Sequence, residues 1–230
     1  MKHLLARGGI EFLAVLLGIS GSFWFDELRE DKRLNIEVNE SLYGITNELN
    51  EIKTDLNRVL DEYEKQIPYY KIAIKAKNLE DMDIDELDKM NWNIQFPIGI
   101  NINTLTYESI KASGILYKIE NKSIRKSIIN IYEEELRRYT KIADYEWEYQ
   151  KIWDQFLLSD VFQLRDNESS SNWFLDWNNP MNFDTYTKNI EFKNKLIAVS
   201  HLKKMMANRI NIAIQKIEEL SITLNQYLLQ

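Results

Sequence analysis

The chain has 230 residues, 44% of them hydrophobic and 28% charged, enough apolar material for one substantial core or two small ones. Its formal net charge of -7 at pH 7 argues against a surface built for phosphate neutralisation, and so against nucleic acid as a partner. Without cysteine there are no disulfides or thiolate metal sites. Three prolines and seven glycines punctuate the chain too sparsely for many short strands, so the expected fold is all-α.

The first element is the apolar run "GGIEFLAVLLGISGSFWF", Gly8 to Phe25, in which Glu11 is the one ionisable residue. A helix of that length rises roughly 27 Å, about the thickness of a hydrocarbon core, so the run is long enough to span. Lys2 and Arg7 precede it and Trp24 closes it as an aromatic interface anchor, which places the amino terminus inside. Arg29, Lys32 and Arg33 lie just beyond and weigh against that orientation. A cleaved signal peptide is the rival reading, with "SGS" as its small-residue site. Glu11 near the start of the run and the lack of a helix breaker after it favour a retained signal anchor. The division is therefore residues 1–27 as tail and transmembrane anchor and residues 28–230 as a helical bundle domain. The expected location is a bacterial inner membrane, single-pass, with the bundle outside the cytoplasm.

At about 100° per residue, Glu11, Ala14, Gly18 and Ser22 share one side of this helix. Ala14, Gly18 and Ser22 form a double small-x-x-x-small pattern of the kind that lets helices approach closely in lipid. An acid in the membrane costs a few kcal/mol unless it is paired, neutral or turned toward protein or water, and the chain offers no second span to shelter it. Two readings stay open. Either Glu11 sits at the headgroup boundary and reaches water, or several copies gather their Glu11 carboxyls at the centre of an oligomer, where they could handle protons or cations.

Beyond the span, Val38, Leu42, Ile45, Leu49, Ile52, Leu56, Val59 and Tyr63 follow a 4-3 spacing that predicts a long helix to about Gln66, stopped before Pro68. "NLEDMDIDELDKMN" is acidic and reads as a short helix with a solvated face, without the spacing of a calcium loop. "FPIGININ" reads as a connection with a short extended piece. Asn103 or Thr104 then opens a short helix that Gly114 closes. Asn121 caps a long helix carrying Ile128, Ile131, Tyr139, Ile142, Tyr149, Ile152 and Phe156, with "EEELRR" on its solvated side. From Arg165 to Thr187 the sequence is loop-like. There Trp173, Phe174, Trp177 and Phe183, interleaved with Asn and Asp, form either a recognition surface for a partner or an aromatic plug over the bundle end, the plug being preferred. A final helix, Ile190 to Leu228, carries Met206, Ile210, Ala213, Ile217, Leu220, Leu224 and Tyr227. Together the segments predict an antiparallel bundle of about four helices.

His3 and His201 stand apart from any metal-ligand spacing, so neither metal nor cofactor is expected, and no phosphate loop or nucleophile signature occurs. Arg125, Lys126, Arg137, Arg138 and Lys141 read as one side of an alternating-charge helix rather than an anion patch.

The order of Glu11, Gly18 and Ile19, then "TYESIKASG" from Thr106 to Gly114, then "ILYKIENKSIRKSIINIYEEELR", resembles an uncharacterised family of bacterial single-span membrane proteins. In that family an E-x6-G-I span is followed by a helical domain with a tYxxLkxSG block. Its tryptophan one turn beyond Trp24 is Leu28 here. The resemblance implies anchor plus helical domain and carries no activity. The expected function is thus a non-enzymatic, membrane-anchored interaction or scaffold module, contacting membrane lipid and self-associating through Ala14, Gly18 and Ser22 or pairing with another membrane protein. The alternative is an oligomeric ion or proton pathway, or its auxiliary subunit, using Glu11; a bundle-type ligand sensor ranks third.

Overall fold

The computed structural model describes residues 2–75, 77, 79–95, 97–99, 102–157, 159, 161–165 and 174–229, with side chains from Leu16 onward except those of Ile152, Leu157 and Phe174. Among the described residues the fold is all-α apart from one short two-stranded sheet. Helix α1, Lys2–Lys75, is a single 74-residue rod, roughly 110 Å at 1.5 Å per residue. Its predicted seam is the core: Leu42, Ile45, Leu49, Leu56, Val59 and Tyr63 are all wholly buried. Among the described residues no helix is long and apolar enough to cross a membrane. Glu11 and Ala14 lie in the helical backbone of α1, but their side chains fall outside the description.

The predicted stop before Pro68 is wrong, because α1 runs through the proline for two more turns. Proline deletes one helical hydrogen bond and crowds the preceding turn, at a cost of about 3 kcal/mol. The residues after it offset that cost by burial: Tyr70 and Ala73 are inside, and the Tyr70 hydroxyl donates to the Ile94 carbonyl at 2.8 Å. A local breaker has yielded to tertiary packing.

The acidic stretch forms a 3-10 turn, Leu79–Asp81, and helix α2, Ile84–Gln95. The described part of "FPIGININ" has no regular structure. Helix α3, Leu105–Ala112, ends at Ser113, and Gly114 follows at φ 81, a left-handed conformation that glycine adopts without steric cost. Asn121 accepts from the amides of Ser123 and Ile124 and opens α4, Lys122–Asn130, which continues through a π-helical turn, Ile131–Leu136, into α5, Arg137–Leu157. Strands β1, Leu164–Arg165, and β2, Phe174–Leu175, pair antiparallel, with Leu164 opposite Leu175. Helix α6, Pro180–Lys188, occupies ground expected to be loop, and α7, Ile190–Leu228, matches its predicted bounds.

The helices pack as a bundle in which α1 makes its most extensive contact with α7. Lys53 of α1 faces Glu218 of α7 at 3.6 Å, whereas Tyr63 and Lys203 meet at Glu146, so these two helices run in opposite directions. Glu48 bonds to Tyr132 and Tyr63 to Glu146, so the α4–α5 stretch runs with α1. One core cluster extends from Val38 to Tyr63 along α1 and takes in α3, the π turn and α7 from Met206 to Leu224. A second, richer in aromatics, joins Tyr70, Trp153, Phe162, Trp177, Tyr186 and Phe192 at the far end.

Candidate functional site

The "TYESIKASG" block becomes a polar junction between α1, α3 and the π turn. Thr104 at the start of α3 makes no side-chain cap. Its place is taken by Glu48 of α1, whose carboxylate accepts from the amide of Thr106 at 2.6 Å and that of Tyr107 at 3.2 Å, and from the Tyr132 hydroxyl at 2.7 Å. An acid at a helix N-terminus meets both the unpaired amides and the favourable end of the dipole. Gly44, one turn before Glu48, permits the approach, since a Cβ there would lie 3.0 Å from Thr106 Cγ2.

The π turn supplies the other wall. It brings Tyr132 to stack on Tyr107, with ring centroids 4.2 Å apart and planes 4° from parallel. The next residue, Glu133, accepts from the Tyr107 hydroxyl at 2.9 Å and is bridged by Lys111. An inserted residue of this kind shifts the register of a helix face, which is why π turns often mark functional sites. Burial, then the bond to Glu133, raises the Tyr107 hydroxyl above its ordinary pKa; burial, then Glu48, does the same for Tyr132. Hydrogen bonding from Lys111, followed by that from Tyr107, lowers the Glu133 carboxyl. A cavity of about 290 Å³ beside them is lined by Thr104, Tyr107, Glu133, Arg137 and Thr140 among others.

Two further networks lock the helices. Lys203, 1% exposed, ion-pairs with the buried Glu146, whose second oxygen accepts from the Tyr63 hydroxyl. Next to them is a void of about 10 Å³, room for one water, onto which Trp153 faces with its Nε1 unpartnered. Glu135, from the π turn, is buried against Lys216. Of "EEELRR", the Glu134–Arg138 pair at 2.9 Å and the exposed Arg137 are solvated as expected. Glu133 and Glu135 instead tie the π turn to α3 and α7.

The residues singled out from sequence do not converge. Gly18 and Ser22 are on the exposed side of α1 with no atom within 4 Å of a Cβ built on Gly18, and the Ser22 hydroxyl donates to the Ile19 carbonyl at 2.9 Å. Trp24 is exposed beside Phe25, their rings 5.7 Å apart. Trp173 lies outside the described residues, as does the side chain of Phe174. Trp177 is buried, donates from Nε1 to Asp88 at 2.9 Å and packs on Phe183 at 5.5 Å, while Arg165 bridges to the same Asp88. The basic residues of α4 and α5 are dispersed: Arg125 bonds the carbonyls of Tyr117 and Ile119, and Lys126 and Arg137 line different cavities. Among the described residues no cluster of three or more His, Asp or Glu is placed to hold a metal ion.

Sequence reasoning missed Glu48, Glu146 and Lys203, yet a signal existed. Glu146 falls between Ile142 and Tyr149, and Lys203 between Leu196 and Met206, at the 3-4 spacing of the core faces themselves. A charged residue in step with a buried seam must be paired inside it.

No protein-family model, curated protein or solved structure matches the chain in comparisons with known proteins.

Proposed function

We propose that the chain is a membrane-anchored scaffold or interaction module without catalytic activity of its own, held by one span near its start and presenting a helical bundle outside the cytoplasm. The observation that carries this reading is the continuity of α1, which passes from the Gly8–Phe25 run into the bundle core without a break. Leu17, Phe23, Trp24 and Phe25 are each at least 60% exposed, an apolar surface that water disfavours and lipid would cover. The order of the Glu11, Gly18 and Ile19 element and the "TYESIKASG" block, in its resemblance to single-span membrane proteins, points the same way. The antiparallel arrangement of about four helices is taken as the framework of the bundle, in accord with the opposed directions of α1 and α7.

The non-enzymatic reading is supported by how the internal acids are used. Both oxygens of Glu48 and of Glu146 are occupied and Glu135 is buried against Lys216, so these groups hold helices together, while Glu133, which lines the cavity beside α3, is bridged by Lys111. Self-association through Ala14, Gly18 and Ser22, or pairing of that face with another membrane protein, would account for a small-residue face with open space around Gly18.

Because the chain has no cysteine, a single introduced thiol reports location cleanly. Glu191→Cys, on an exposed turn of α7, is expected to stay in the membrane pellet through alkaline carbonate extraction and to react with an impermeant maleimide in intact spheroplasts. Release into the supernatant would overturn the anchor; labelling only after permeabilisation would overturn the orientation.

A further inference from the structure

At the far end of α1, remote from the apolar run, four cationic or imidazole side chains meet with no acid among them. Lys71 and Lys75, one turn apart on α1, and His201 and Lys204, one turn apart on α7, line a cavity of about 220 Å³. Its apolar wall is Ile74 and Ile197, and the buried Ser200 completes it. The burial of Tyr70, Ala73 and Leu196 fixes the two helices against each other here, so the lysines are mounted on a rigid frame.

Lysines elsewhere are either paired with acids, as Lys65 is with Glu62, Lys203 with Glu146 and Lys216 with Glu135, or stand singly on the surface, as Lys118 does; here three of them share one cavity whose lining holds no acid. Lys71, Lys75 and Lys204 take part in no ion pair among the described residues. In a chain of net charge -7, such a group is an exception to the surrounding field. Like charges four residues apart on a helix cost a few tenths of a kcal/mol, a cost that a bound anion reverses. Lys75 also offsets the carbonyl end of α1, but that role needs neither His201 nor Lys204.

We infer that this cavity binds the phosphate group of a small phosphate monoester. Three ammonium groups act as point charges suited to a dianion, and the isoleucine wall accepts a short carbon body. A phospholipid headgroup offers the same chemistry. From Phe25 to Lys71, however, α1 rises roughly 70 Å, which under the membrane reading keeps the site clear of the chain's own bilayer and favours a diffusible ester.

The test uses the full chain in detergent micelles, titrated with glycerol 3-phosphate by calorimetry, and in parallel with vesicles of phosphatidylcholine with and without phosphatidic acid. Saturable binding of glycerol 3-phosphate that weakens at least tenfold in Lys71→Gln/Lys204→Gln, but not in the charge-matched Lys118→Gln/Lys122→Gln, is the expected result. Binding only to phosphatidic acid vesicles, lost in the same variant, would support the phosphate site and identify a headgroup as its source. No saturable binding to either, or equal weakening in both double variants, would overturn the site. All four lysines are exposed, so circular dichroism of the variants is expected to match wild type.

Discussion

Replacing Glu48 by alanine leaves two α3 amides and the Tyr132 hydroxyl without their acceptor. Loss of a helix cap and of a buried hydroxyl's partner together cost about 2–4 kcal/mol. Urea denaturation of Glu48→Ala should show that loss, and Glu48→Gln, which keeps an acceptor oxygen, about half of it; a change under about 0.5 kcal/mol in the alanine variant would remove Glu48 from its capping role. Lys203 and Glu146 behave differently, because each is a charge buried beside the other. Lys203→Met alone strands the carboxylate and should cost about 3–5 kcal/mol, whereas adding Glu146→Leu should recover part of it, the Tyr63 hydroxyl then losing its acceptor. Additive losses would mean that the two side chains do not act as a pair.

At the scale of elements, the meeting of α1 with α3 depends on Gly44. Alanine there gains about 1 kcal/mol of helix propensity but pushes on Thr106 Cγ2, 3.0 Å away. Gly44→Ala is therefore expected to lower the melting temperature, and Thr106→Ser, which removes that methyl, to turn the same change into a gain. A gain from Gly44→Ala alone would show that α3 yields freely. The same scale shows what could be read in advance. The α1 seam and the bounds of α7 were legible because one period runs unbroken through many turns, as was the Asn121 cap, whose side chain does what its type predicts. Pro68 was misread because the burial of Tyr70 lies outside any local rule. Helix α6 was hidden in an Asn-rich stretch, although Asn179 before Pro180 is an N-cap and N1 pair, and Asn179 does accept from the Met181 amide at 3.0 Å. The Glu48 junction joins residues 58 positions apart, a relation that no period in the sequence expresses.

For the whole molecule, six of the twelve tyrosines, Tyr63, Tyr70, Tyr107, Tyr132, Tyr139 and Tyr186, have their hydroxyls raised above the ordinary value of 10.0, each chiefly by burial. A raised pKa in the folded state contributes stability that is complete below pH 10 and is lost as pH climbs above it, because the unfolded chain releases those protons first. Lys203, lowered by burial, contributes in the opposite sense just below pH 10.5, a smaller effect from one group. Alkaline titration followed by tyrosinate absorbance and circular dichroism should show these six ionising only as helix is lost. Smooth ionisation of all twelve in an intact helix signal would contradict the buried tyrosine cores.

The proposal that copies associate through α1 is tested most directly by the mass of the full chain extracted in mild detergent. Gly18→Leu is the informative comparison, because a Cβ at Gly18 meets nothing within 4 Å in one copy and the added helix propensity stabilises α1, so a loss of mass points to a neighbour. The expected result is a defined oligomer in wild type that falls to a monomer in Gly18→Leu while the bundle melts unchanged. A monomer in both, or an oligomer indifferent to the substitution, would contradict association through this face of α1.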